Sequence, residues 1–108
     1  MTSTEFDRRQ AAALAAIAAA SGTEAGAGSV DLFIEHHVEE LPPPYWQKHL
    51  GTTAPTAGAV IGLLVLRSSW GRDDLEHFDF TLPGDVTDYV VTVRFDEHGA
   101  VSDVDMES

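Results

Sequence analysis

The chain has 108 residues, of which 44% are hydrophobic and 22% charged, so it can form one globular domain with a single core. Eighteen acidic against six basic residues give a net charge of −12, which argues against direct binding to nucleic acids or anionic membranes. Cysteine is absent, which excludes disulfides, thiol nucleophiles and cysteine metal ligands and favours a cytoplasmic location.

The chain begins with an alanine-rich segment. Arg8 and Arg9 before the alanines resemble the start of a secretory signal, but the run is weakly hydrophobic and acidic residues precede it. We therefore expect a retained amphipathic helix over about residues 5–20. The glycine-rich stretch 21–28 predicts a flexible linker, so this helix is expected to pack loosely against a core formed by residues 29–108. The whole chain, 1–108, is predicted to be a single domain.

Three more helical segments are expected before residue 70. The first occupies about residues 29–41 and ends at three consecutive prolines. The second is a short helical turn over residues 45–50, closed by a glycine. The third is predicted from about residue 55 to residue 66, although its apolar run, Val60 to Leu66, is also compatible with a buried strand.

The last third of the chain predicts an antiparallel β-meander of three strands, over about residues 76–82, 88–96 and 100–106. Alternation makes one face apolar, with Phe78, Phe80, Leu82, Tyr89, Val91, Val93, Phe95, Val104 and Met106. The other face is polar, with Asp79, Thr81, Thr92, Arg94, Asp103 and Asp105. The predicted fold is therefore α+β, with three or four N-terminal helices packed on one face of a C-terminal three-stranded antiparallel meander.

Negative charge is concentrated in the same region. Residues 73–108 contain eleven of the eighteen acidic residues and only one basic residue, Arg94. This predicts a non-enzymatic interaction module that binds a basic protein partner, for example an inhibitor or immunity-type protein that neutralises a cationic enzyme. The predicted binding residues on the acidic face are Asp79, Asp103, Asp105 and Glu107. A polar outer face that prevents edge-to-edge pairing, or that only maintains solubility, explains the same carboxylates without binding.

The densest group of possible metal ligands lies between Glu35 and Glu40. His36 and Glu40 are four residues apart and share one face of a helix, and His49 or His77 could supply a further ligand. The zinc-protease pattern of two histidines and a glutamate is absent. A metal-binding protein or metal-dependent enzyme is therefore an alternative prediction, beside the simpler interpretation of a solvated helix face.

The sequence predicts no catalytic residues and no cofactor. Ser68 and Ser69 lack a nucleophile-elbow motif, and no phosphate-binding glycine loop is present. Tyr45, Trp46 and Trp70 are candidates for partly exposed aromatic anchors, although such residues more often close the edge of a core. A structural domain that forms homo-oligomers through its sheet edges is a third alternative.

From about residue 31 to the C-terminus the chain resembles a family of small acidic bacterial proteins catalogued as a domain of unknown function. The residues that carry the resemblance are Asp31 to His37, Tyr45-Trp46, Leu63 to Leu66 with Trp70-Gly71, Phe78 to Val91, Val93 to Asp96 and Met106 to Ser108. The resemblance implies an α+β fold and a bacterial cytoplasmic protein. It implies no activity, and the alanine-rich first helix lies outside it.

Overall fold

Four helices precede a four-stranded antiparallel sheet in the computed structural model of the protein, which describes residues 4–107. The ends of the predicted domain, residues 1–3 and 108, lie outside the described range. The helices are α1 (Thr4–Ala20), α2 (Val30–Glu40), α3 (Pro43–Leu50) and α4 (Ala57–Leu63). The strands are β1 (Val65–Trp70), β2 (His77–Thr81), β3 (Val90–Phe95) and β4 (Val101–Glu107), and a 3₁₀ turn (Arg72–Asp74) follows β1.

Local sequence sets the ends of the helices. The Thr56 hydroxyl accepts a hydrogen bond from the amide of Ala59 at 3.2 Å and so caps α4. Prolines occupy the first turn of α3, where their missing N–H groups cost nothing, and Gly51 ends that helix in the left-handed conformation. None of the helices in the described part of the chain is long and apolar enough to cross a membrane.

The sheet has the order β1-β2-β3-β4, and each neighbouring pair is antiparallel. β1 and β4 are therefore its two edges. Each edge strand carries one extra residue, Arg67 in β1 and Ser102 in β4, where the register with the neighbouring strand shifts. Such bulges bend an edge strand and make pairing with another chain less favourable.

The prediction of three strands is wrong, because the fourth helix ends earlier than its apolar pattern suggested. α4 stops at Leu63, and Val65 begins an additional strand instead of continuing a helix to Leu66. Val65 pairs with Thr81 and Leu66 with Phe80. Without β1, one side of β2 would have unpaired backbone N–H and C=O groups. The segment that pairs with them has a local pattern that did not distinguish helix from strand.

The core lies between the helices and one face of the sheet. Phe78, Phe80, Val91 and Val93 are completely buried, as the alternation predicted. The helices supply the other half of the core, through the buried residues Ala13, Ile17, Val30, Phe33, Ile34, Trp46 and Val60. This arrangement leaves the second face of the sheet without a covering layer.

The first helix, which the sequence predicts to pack loosely, contacts the core through two buried side chains. Ala13 and Ile17 of α1 are fully buried in the core. Arg8 donates to the carbonyl of Gly99 at 3.1 Å, and Arg9 donates to the carbonyl of Leu75 at 2.7 Å. Tertiary hydrogen bonds to two distant loops thus fix a helix whose own apolar stripe is narrow.

The glycine-rich segment predicted to be a flexible linker forms hydrogen-bonded turns. Asp31 organises it, because its carboxylate accepts hydrogen bonds from the Ser21 hydroxyl and from the Gly22 amide, each at 2.9 Å. Ser29 precedes α2, but its hydroxyl donates to the carbonyl of Ala25 instead of capping the helix. The segment therefore connects α1 to α2 through specific contacts.

Candidate functional site

We call the uncovered side of the sheet the outer face. Although Thr81, Val90 and Thr92 on it are themselves buried, it consists of the side chains that point away from the core on all four strands. They are Val65, Ser68 and Trp70 on β1, His77, Asp79 and Thr81 on β2, Val90, Thr92 and Arg94 on β3, and Asp103, Asp105 and Glu107 on β4. The cross-strand register places Trp70, His77, Arg94 and Asp103 in one row across the sheet.

Trp70 is the large aromatic side chain of the outer face. It is 45% exposed, yet its ring stacks on that of His77 with centroids 3.8 Å apart and planes 7° from parallel. Its Nε1 also donates to the Asp79 carboxylate at 3.0 Å. The indole is therefore held in one orientation while nearly half of its surface stays open to solvent.

Asp79 was predicted as a binding residue, and the structure gives its carboxylate other partners. One oxygen accepts from the Thr92 hydroxyl at 2.8 Å, and the other accepts from Trp70 and, at 3.4 Å, from the Ser68 hydroxyl. The side chain is only partly exposed. Asp79 thus positions Trp70 and ties together β1, β2 and β3.

The other three predicted acidic residues, Asp103, Asp105 and Glu107, are exposed at alternate positions of β4; we call them the acidic row. None of them forms an ion pair with any residue in the described range. Arg94 lies opposite Asp103 in the register, but its recorded ion pair is with Glu76, at 3.9 Å. The acidic row therefore presents three exposed carboxylates along one edge of the sheet, with Arg94 as the neighbouring cation.

The acidic row and Trp70 border the same shallow depression, which has a volume of about 190 Å³. His77, Thr92 and Arg94 complete its lining. Sequence analysis missed this convergence because Trp70 was not assigned to a strand. Once β1 pairs with β2, the register brings Trp70 onto the face that carries the carboxylates.

The structure does not bring the predicted metal ligands together. His36 and Glu40 lie one turn apart on α2, but His49 is on α3 and His77 is on β2, and the three histidines pack against different aromatic rings. His36 contacts Tyr89, His49 contacts Tyr45, and His77 contacts Trp70. Within residues 4–107 there is no group of three or more His, Cys, Asp or Glu side chains that could hold a metal ion.

His37, which the sequence did not single out, is the histidine with the most specific surroundings. It is 1% exposed, its Nδ1 donates to the carbonyl of Phe33 at 2.7 Å, and its Nε2 accepts from the Thr87 hydroxyl at 2.8 Å. Burial lowers the pKa of His37 below its ordinary value. The neutral imidazole thus connects α2 to the loop between β2 and β3 through a hydrogen bond.

Comparisons of the chain with models of protein families, with curated proteins and with solved structures found no match. The resemblance to a family of small acidic bacterial proteins therefore stays a prediction.

Proposed function

We propose that this protein is a non-enzymatic interaction module that binds a basic protein partner through the outer face of its sheet. The observation that carries the proposal is the convergence of Trp70 with Asp103, Asp105 and Glu107 around one depression. Tryptophan is among the residues that contribute most binding energy in protein interfaces, and a surrounding charged rim favours partners of opposite sign.

The geometry favours cationic side chains at regular intervals on the partner. Alternate residues of β4 are spaced by about 7 Å, twice the rise of a strand, so an extended segment with basic residues at alternate positions matches the acidic row. A lysine or arginine side chain can also lie over the open surface of Trp70, where a cation–π contact adds to the attraction of the carboxylates. An inhibitor that covers the basic site of an enzyme has this chemistry.

The test uses an octapeptide with lysine at alternate positions and a triple variant, Asp103→Asn, Asp105→Asn and Glu107→Gln. We expect the variant to bind the peptide about tenfold more weakly or worse, because three exposed charge pairs contribute about 1–3 kcal/mol together. The matched control, Glu35→Gln, Glu39→Gln and Glu40→Gln, removes the same charge from α2 and should change the affinity by less than about twofold. Equal losses in both variants would mean that total charge alone attracts the peptide, and the proposal would be wrong.

Tryptophan fluorescence gives the position of the bound peptide. Trp46 is 1% exposed and Trp70 is 45% exposed, so a ligand on the outer face should change the emission of Trp70 alone. Trp70→Phe should remove this change in emission. It should also weaken binding, because the ring loses the hydrogen bond to Asp79 that holds it in one orientation. A signal that persists in Trp70→Phe would place the peptide elsewhere.

A further inference from the structure

A cleft of about 600 Å³ lies where α1, the 3₁₀ turn and the hairpin between β3 and β4 meet. Three of the six basic residues of the chain line it, namely Arg9, Arg72 and Arg94. They come from three different elements, so only the tertiary structure brings them together. In a chain with a net charge of −12, this is a local concentration of guanidinium groups.

Two of the three arginines are held by contacts within the protein. Arg9 forms an ion pair with Glu5, donates to the carbonyl of Leu75 and lies 5.4 Å from the centre of the Phe95 ring. Arg94 is 3.9 Å from the carboxylate of Glu76. The Arg72 guanidinium, by contrast, has no hydrogen-bond or ion-pair partner among the residues that the structure describes.

The carboxylates of the cleft also include some that have partners within the protein and one that has none in the described range. Asp96 is used inside the hairpin, where one of its oxygens accepts from the amides of His98 and Ala100 at 2.8 Å and 3.0 Å. Glu76 faces Arg94. Asp73 lines the cleft without such a partner in the described range. An unpaired cation and an unpaired anion, Arg72 and Asp73, are thus adjacent at the wall of the cleft.

The backbone that presents this pair is unusual. Asp73 and Asp74 both have left-handed conformations, with φ of 56° and 58°. Gly71 has φ of 89°, and a Cβ atom there would lie only 2.6 Å from the Cβ of Glu76. Left-handed backbone is unfavourable for most residues other than glycine, although aspartate tolerates it, and such conformations are enriched at binding and catalytic sites.

We propose that this cleft binds a small zwitterion of the amino-acid type. Its carboxylate pairs with Arg72, whose guanidinium has no partner within residues 4–107, and its ammonium group pairs with Asp73. Guanidinium groups match the geometry of a carboxylate and can bind it through two parallel hydrogen bonds. The mixed charge of the lining disfavours a polyanion, which the acidic residues repel, and a simple cation, which the arginines repel. Leu75, which is partly exposed in the cleft, provides an apolar surface for the side chain of the ligand.

The experiment records amide and arginine Nε chemical shifts of the full-length, isotope-labelled protein as each of the twenty common amino acids is added at millimolar concentration. We expect at least one of them to shift the resonances of residues 72–76 and 94–97 saturably. Its carboxamide and N-acetyl derivatives, which lack one of the two charges, should bind at least about tenfold more weakly. Absence of any saturable shift in the cleft with all twenty amino acids would overturn the proposal.

Three single variants test whether the amino acid binds in the cleft or responds only to the overall charge of the protein. Arg72→Gln and Asp73→Asn should each weaken binding of that amino acid at least about tenfold, and asparagine tolerates the left-handed backbone at residue 73. Arg67→Gln is the control, because Arg67 is exposed and does not line the cleft. An equal loss in Arg67→Gln would contradict the assignment. Arg94 lines both sites, but Arg72 and Asp73 do not line the outer-face depression and no residue of the acidic row lines the cleft. The triple variant of the acidic row should therefore leave amino-acid binding unchanged, which distinguishes this test from that of the outer face.

Discussion

Adjacent histidines on α2 have different environments because each helical residue is rotated by about 100° from the previous one. His36 is partly exposed beside Tyr89, whereas His37 points into the core and uses both ring nitrogens. Since a carbonyl can only accept, the bond to Phe33 makes Nδ1 the protonated nitrogen and Nε2 the acceptor from Thr87. A second proton on this ring therefore requires rearrangement of the bond to Thr87.

The buried histidine predicts that the protein loses stability in mild acid. The pKa of His37 is lower in the folded than in the unfolded state, so the unfolded chain takes up a proton first as the pH falls below about 6.5. We expect the free energy of unfolding, measured in urea, to fall between about pH 7.5 and pH 5.5. His37→Gln should flatten this part of the profile, and the exposed control His98→Gln should not. A profile unchanged in His37→Gln would assign the acid sensitivity to other groups.

The two tryptophans differ in exposure, which their residue type alone does not determine. Trp46 is buried, and its Nε1 has no hydrogen-bond partner in the described part of the chain. Trp70 is exposed, and its Nε1 binds Asp79. Both were candidates for anchors from sequence, because an aromatic residue beside prolines or glycines fits either role. Trp70 is exposed because the pairing of β1 with β2 places it on the outer face of the sheet.

At the scale of elements, local pattern favoured a helix up to Leu66, with a strand as the alternative, and predicted no strand at residues 67–70, where the structure has β1. Its residues Arg67, Ser68 and Ser69 lack the alternation that identifies β2 and β3. The strand exists because β2 offers unpaired backbone groups that are 16 or fewer residues away along the chain, and antiparallel pairing satisfies them. An interaction between segments thus overrides weak local preference.

Helix α1 provides a test of packing at the element scale. Ile17→Ala should lower the free energy of unfolding by about 2–4 kcal/mol, because the side chain is fully buried between α1 and the core. Leu32→Ala on α2 removes an equal number of carbon atoms from a side chain that is 42% exposed, and it should cost less than about 1 kcal/mol. Chemical denaturation measures both. A small effect of Ile17→Ala would support the loosely packed helix that the sequence suggested.

At the scale of the whole molecule, the excess of eighteen acidic over six basic residues predicts self-repulsion in the folded state. Raising the salt concentration from about 0.02 M to 0.5 M shortens the Debye length from about 20 Å to about 4 Å. We expect the melting temperature to rise by roughly 4–8 °C, which corresponds to about 1 kcal/mol for a domain of this size. The triple variant of the acidic row should respond less. A melting temperature that falls with salt would show that favourable ion pairs dominate instead.

Much of the fold follows from local pattern. The four helices, the three strands β2 to β4 and the buried face of the sheet were predictable, because apolar periodicity and the proline and glycine stops act within a few residues. The sequence also determined the net charge and its concentration in residues 73–108, since these depend on composition alone. Only the tertiary structure decided that residues 65–70 form strand β1 and that α1 packs on the core. It also decided the hydrogen-bond partners of Asp79 and His37. Each of these depends on contacts between residues far apart in the chain, and no local preference encodes which distant group will satisfy a given hydrogen bond or cover a given apolar surface.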